Sequence, residues 1–265
     1  MAKADSVVAF TGSLGPLTAY RLPGVDKPVI RRKGGITKNA IKNKASFELT
    51  RRYNEEWKAC IKAARHINQA LYGVKHLADY NFSGNLNALC KHIQNDDNLS
   101  ELGKRNIEVS KTGYKIEGFS LNKYTAFGNL LKAPVTATMH NSYVSVQLPH
   151  VLPGVNFFNP RKHPLYRFVL VLATVPDILY NALHNRFETP ANYVFNQTTH
   201  HTPWYTQEQP VDAATYQLQL DNYQPTNNTC LVVCTGIEFG LPASNTVVQS
   251  IKYAGSAVIL KTAVA

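Results

Sequence analysis

The chain has 265 residues, 44% apolar and 10% aromatic, enough for one large domain or two small ones with a core that needs no disulfide staples. Charged residues are only 17%, against roughly 25% in an average chain, so part of the surface is expected to be covered by other subunits. The net charge of +11 is lopsided: residues 1–140 hold 22 Lys/Arg and 11 Asp/Glu, residues 141–265 hold 6 and 6.

That asymmetry suggests two modules, and the change to a β pattern beyond 112 places their boundary: a basic β-meander plus helical module over 1–112 and an antiparallel β-sandwich domain over 113–265. The first would face an anion: nucleic acid, an anionic membrane surface, or an acidic patch on a neighbouring copy. The N-terminal run "VVAF" is too short for a secretory signal, and no apolar run approaches ~20 residues. The expected place is the cytoplasm, with release by lysis or an unconventional route as the alternative.

Residues 6–33 read as a three-strand β-meander: "SVVAFTGSLG", "LTAYRL" and "KPVIRR", with turns at Gly15-Pro16, Pro23-Gly24 and Gly34-Gly35. Three short strands cannot bury both faces, and the next segment is the candidate cover. From Ser46 to Leu71, Leu49, Tyr53, Trp57, Ile61, Ala64, Ile67 and Leu71 recur at helical spacing and predict one buried stripe. Ser46 is the expected N-cap and Gly73 the expected stop. Arg51, Lys58, Lys62 and Arg65, with Glu48, Glu55 and Glu56 between them, are expected on a solvated face.

Residues 75–108 read as more helix, with Leu86, Leu89 and Ile93 on one face, broken at "NDDNLSELGKRN". Beyond 113 the pattern is β. "YKIEGFSLN" predicts a short strand, and "APVTATMHNSYVSVQLPH" a hairpin turning at His140-Asn141. "PLYRFVLVLATV" predicts a central strand buried on both faces. "NYVFNQT", "ATYQLQLDNY", "NTCLVVCTGIEF" and "TVVQSIKYAGSAVILKTAV" complete the set. The fold class is therefore α+β: a three-strand meander, two or three helices, then an antiparallel β-sandwich.

Chemical motifs are absent. Nine histidines form no HxH or HExxH, and no CxxC accompanies them. His200-His201 are neighbours that a strand would point to opposite faces. Cys230 and Cys234 would share one strand face about 13 Å apart, beyond disulfide reach. GxSxG and the P-loop spacing do not occur, and no pair of acids is spaced as an acid/base couple. No catalytic, cofactor-binding or metal-ligating residue is assigned, no cofactor is implied, and the chain is read as a non-enzyme.

The anion- or partner-binding candidates are Arg31, Arg32, Lys33, Lys38, Lys42 and Lys44 of "VIRRKGGITKNAIKNK", then Arg51, Lys58, Lys62 and Arg65 on the helix. Gly34 and Gly35 are the candidate hinge.

The series "FTGSLGPLTAYR", "RRKGGITKNAIKN" and "ASFELTRRYNEEWKACIKAARHIN" resembles a family of uncharacterised Bacteroidota proteins, as do the later "YKIEGFSLN" and "TGIEFGLPASNTVVQSIKYAGSAVILKTAV". Arg32, where many relatives carry an acid, and Trp57, where they favour Phe, depart from its pattern. The resemblance implies an order of elements, meander then helices then β-domain, and brings no catalytic residues.

Three functions fit. The first is a structural subunit that assembles with its own copies into a filament, tube or shell, exchanging strands and termini. The second is a nucleic-acid-associated protein using the basic half. The third is a carbohydrate- or ligand-binding sandwich using Tyr193, Trp204 and Tyr205 on its loops.

Overall fold

The computed structural model describes residues 2–3, 11–26, 28–140, 143–221, 225–244 and 246–264. It divides by contacts into two compact units, Met1–Arg51 and Arg52–Ala265. The boundary expected from sequence at 112–113 falls inside the second.

The first unit is an antiparallel sheet. Strands β1 (Ala2–Lys3), β2 (Gly12–Leu14), β3 (Leu17–Tyr20) and β4 (Val29–Arg32) lie in the order β1-β4-β3-β2. The meander expected from sequence is present, although "SVVAF" of its first strand lies outside the described residues. Leu14 pairs with Leu17 across a hairpin in which Gly15 takes a φ of 53°. After β4 the chain turns at Gly35, whose φ of 115° suits only a residue without a Cβ. Thr37 then caps a short helix α1 (Lys38–Asn43), its hydroxyl accepting from the Ala40 N–H at 3.1 Å.

The long helix α2 spans Glu48–Ala70. Its ends differ from the expected ones. Ser46 sits in a 3-10 turn, Ala45–Phe47, and the exit is a second 3-10 turn, Tyr72–Leu77, that carries Gly73. Gly73 is small for packing: a Cβ there would press on Thr199 and Val171.

The buried face of α2 corrects the expectation in its first half, while Ala64, Ile67 and Leu71 of the expected stripe are buried. That face is Glu56, Ala59, Cys60, Ala63, Ala64, Ile67 and Ala70, whereas Leu49, Tyr53, Trp57 and Ile61 are exposed. Short side chains let the helix lie close on a sheet, and large ones on that face would hold it off. The sheet in question is that of the second unit.

That sheet is built on β7 (Leu165–Pro176) and β13 (Thr229–Pro242), paired over twelve register positions from Thr229↔Pro176 to Gly240↔Leu165. β10 (Gln197–His201) and β11 (Tyr205–Thr206) flank β7, while β14 (Val248–Ser250) and β15 (Ser256–Val264) flank β13. As the continuous apolar run predicts, β7 is buried on both faces. Val169, Val171, Ala173 and Val175 meet α2 and α3 (Ser83–Gln94). Tyr166, Phe168, Leu170 and Leu172 face the other way.

There they meet a second sheet of β5 (Thr136–Met139), β6 (Val144–Leu148) and β12 (Ala214–Leu218), in the order β12-β6-β5. The two antiparallel sheets enclose one apolar layer as in a sandwich, and the helices add a third layer. β5 and β6 are the expected hairpin, closed by the His140 N–H donating to the Tyr143 carbonyl at 3.0 Å.

A small hairpin of β8 (Leu179–Asn181) and β9 (Arg186–Glu188) has no counterpart among the strands expected from the sequence pattern.

"YKIEGFSLN" is not a strand. Residues Gly113–Ile116 form a 3-10 turn, and Gly118 takes a φ of 77°. The segment still bonds to β15, through Gly118 N–H to Ile259 O and Leu121 N–H to Ala257 O, but the positive φ interrupts the ladder and leaves a single bridge, Ser120↔Val258.

Candidate functional site

The described residues of the first unit bury few apolar side chains. Among its described residues only Ala19 and Val29 are buried apolar side chains, while Leu14, Leu17, Leu22 and Ile36 are exposed. Every residue of β2 is exposed, and β2 is an outer strand of the sheet. A small sheet needs an apolar face covered to be stable, and most of the large apolar side chains described here are turned outward.

The basic candidates lie on this unit's outer surface. Arg31 and Arg32 end β4, Lys38 and Lys42 are on α1, and Lys33 and Lys44 flank them. None of the six forms an ion pair with an acid among the described residues. Arg31 lies over the Tyr20 ring at 5.5 Å. Arg51 is committed internally. Its Nη1 donates to the carbonyls of Ile41 at 2.8 Å and Lys44 at 2.9 Å, fastening the end of α1.

On α2 the remaining cations divide. Lys58 pairs with Glu55 at 2.6 Å on the surface. Lys62 donates to the Phe187 carbonyl at 3.2 Å, and burial pulls its pKa below the usual lysine value. Arg65 lines a hollow beside Ile61.

Glu56 is a correction. Placed by its spacing on a solvated face, it is 0% exposed. Arg105 grips it with two bonds of 2.6 Å, Lys91 Nζ lies 2.5 Å away, and the Gly103 N–H donates at 2.9 Å. Burial raises a carboxyl pKa, but these donors outweigh it and hold Glu56 down at about 2. The signal available in the sequence is its i+3, i+4 and i+7 spacing to Ala59, Cys60 and Ala63.

A similar knot closes the open end of the central sheet. Glu238 on β13 and Arg167 on β7 are register partners, with Nε–Oε2 at 2.6 Å. Glu238 Oε1 lies 2.9 Å from His76 Nε2, and Arg167 sits 4.3 Å over the Trp204 ring. Burial works against the charge, yet His76 and Arg167 keep the Glu238 carboxyl near 2. An ionised carboxylate only accepts, so His76 Nε2 carries the hydrogen.

His76 also lines a groove of 970 Å³ between the 3-10 turn Tyr72–Leu77, the start of α3 and the turn before β15. Tyr72, Lys75, Lys252 and Tyr253 share its wall. The hollow beside Ile61 and Arg65, of 580 Å³, shares Tyr72 and Lys75 with it.

Other candidates are held elsewhere. The Tyr193 hydroxyl donates to the Thr174 carbonyl at 3.1 Å, and Tyr205 lies 5.6 Å from Tyr166 against the inter-sheet core. With Trp204 stacked on Arg167, the three loop aromatics do not form one platform. His200 and His201 do sit on a strand, β10, with His200 4.8 Å from the Tyr216 ring. All four cysteines are free and buried, and burial pushes their thiol pKa values up.

Among the described residues no three His, Cys, Asp or Glu side chains gather as a metal site, and no helix is long and apolar enough to cross a membrane. No known protein-family model, curated protein or solved structure matches the chain.

Proposed function

We propose that the chain is a non-enzymatic structural subunit that assembles with copies of itself, its first unit docking on a neighbour through strand and terminus exchange. The observation that carries this is that, among the first unit's described residues, two apolar side chains are buried while Leu14, Leu17, Leu22, Ile36 and Leu49 are exposed. A neighbour would cover Leu14 and Leu17 and could extend the sheet at β2, as exposed strand edges do. The exposed row Leu49, Tyr53, Trp57 and Ile61 on α2 offers a second apolar surface for a copy.

Negative-stain electron microscopy tests it, on protein purified with nuclease at high salt and returned to physiological salt. Regular filaments, tubes or rings are expected; dispersed monomers count against it.

A second reading, nucleic-acid association, is favoured by the six cations from Arg31 to Lys44 that lack an acid partner among the described residues. Binding would then weaken steeply with salt, and changing the six to Ser would abolish it and leave the fold intact. Unchanged binding in that variant ends this reading.

A further inference from the structure

The groove beside His76 has a composition that assembly does not explain. Its cations are Lys75 and Lys252, with Arg65 in the adjoining hollow, and none of them forms an ion pair among the described residues. The acid in its wall, Asp79, is turned to the backbone: its carboxylate accepts from the N–H groups of Lys123 at 2.7 Å, Tyr124 at 2.9 Å and Thr125 at 3.2 Å. The groove and its adjoining hollow thus carry three cations against one carboxylate, which none of the three pairs with.

Two rings stand in the same wall with their surfaces open. Tyr72 is 76% and Tyr253 65% exposed. Tyr253 is held at a φ of 62°, which a bulky residue rarely adopts, and its N–H donates to the His76 carbonyl at 3.3 Å. Strain of this kind persists where surrounding structure imposes it, and such positions concentrate at binding sites. Below them Glu238 fixes the His76 ring through Nε2.

We propose that this groove, from Arg65 through Tyr72, Lys75 and His76 to Lys252 and Tyr253, binds single-stranded nucleic acid. Lysines and arginine meet the phosphates, and the tyrosine faces take unpaired bases. A duplex keeps its base faces stacked and cannot use the rings. A neutral sugar would leave the cations unanswered. The site lies wholly in the second unit and is separate from the basic segment of the first, so it stands whether or not the chain assembles.

The test is fluorescence anisotropy of a labelled single strand of about twelve nucleotides, titrated with salt. The same strand annealed to its complement and inorganic polyphosphate serve as controls. The single strand is expected to bind more tightly than either control. Tyr72→Ser with Tyr253→Asn is expected to weaken it about 10-fold or more and leave the salt slope unchanged; Asn tolerates the positive φ. Arg65→Ser, Lys75→Ser and Lys252→Ser together are expected to flatten the slope of log K against log salt by about 2. Thermal unfolding matching the parent shows that each variant is folded. No binding at low salt, polyphosphate bound as tightly and indifferent to the tyrosine pair, or an unchanged slope in the triple variant would each overturn the proposal.

Discussion

The two units treat apolar surface in opposite ways. In the second, β7 and β13 are buried on both faces, and even the charged groups at the margin, Glu56 and Glu238, are fully partnered. In the first, β2 is wholly exposed, and among its described residues two apolar side chains are buried. The difference separates two kinds of position: substitutions at the buried sites of the second unit are expected to change stability, and substitutions at exposed apolar side chains, on the first unit or on the outer face of α2, to change association.

The largest effect should come from Glu56→Ala. It leaves Arg105 and Lys91 without their carboxylate, and breaking a buried pair costs about 3–5 kcal/mol. Urea unfolding measures it; a loss below about 1 kcal/mol would show that the knot contributes little. Acid probes the same groups. Glu56 and Glu238 have folded pKa values near 2, depressed from 4.5. Their stabilisation is therefore complete above the unfolded value and lost as pH falls from about 4.5 towards 2. A melting temperature flat across that window would contradict the assignment.

Gly255→Ala comes next. A Cβ at Gly255 would run into the Ile237 carbonyl, so the strand must shift, at about 1–3 kcal/mol. Last is Trp57→Ser. At 44% exposure it should change stability by no more than about 0.5 kcal/mol while weakening self-association. A large drop in melting temperature would mean that the ring is part of the core.

The contrast between the units also marks what a sequence can reveal. β7 is legible because an unbroken apolar run has one economical use, a strand between two layers. The meander is legible from its Gly and Pro turns. The face of α2 is not. Hydrophobic periodicity weights Tyr53 and Trp57 above Ala59 and Ala63, yet close helix–sheet packing selects the small residues.

Glu56 is hidden from a local reading because its partners, Arg105 and Gly103, are nearly fifty residues away in sequence. The groove is hidden for the same reason: Tyr72 and Tyr253 meet only through the fold. The alternation in "YKIEGFSLN" suggests a strand, and the positive φ of Gly118 breaks it.

The central claim, that the first unit completes itself on a neighbouring copy, is tested most directly by sedimentation velocity of the full chain beside a Leu14→Glu/Leu17→Glu variant. Both side chains are exposed, so the variant should fold with an unchanged melting temperature. Large, concentration-dependent species are expected for the parent and a monomer for the variant. A parent that sediments as a monomer at physiological salt, or a variant that assembles as the parent does, would contradict the claim.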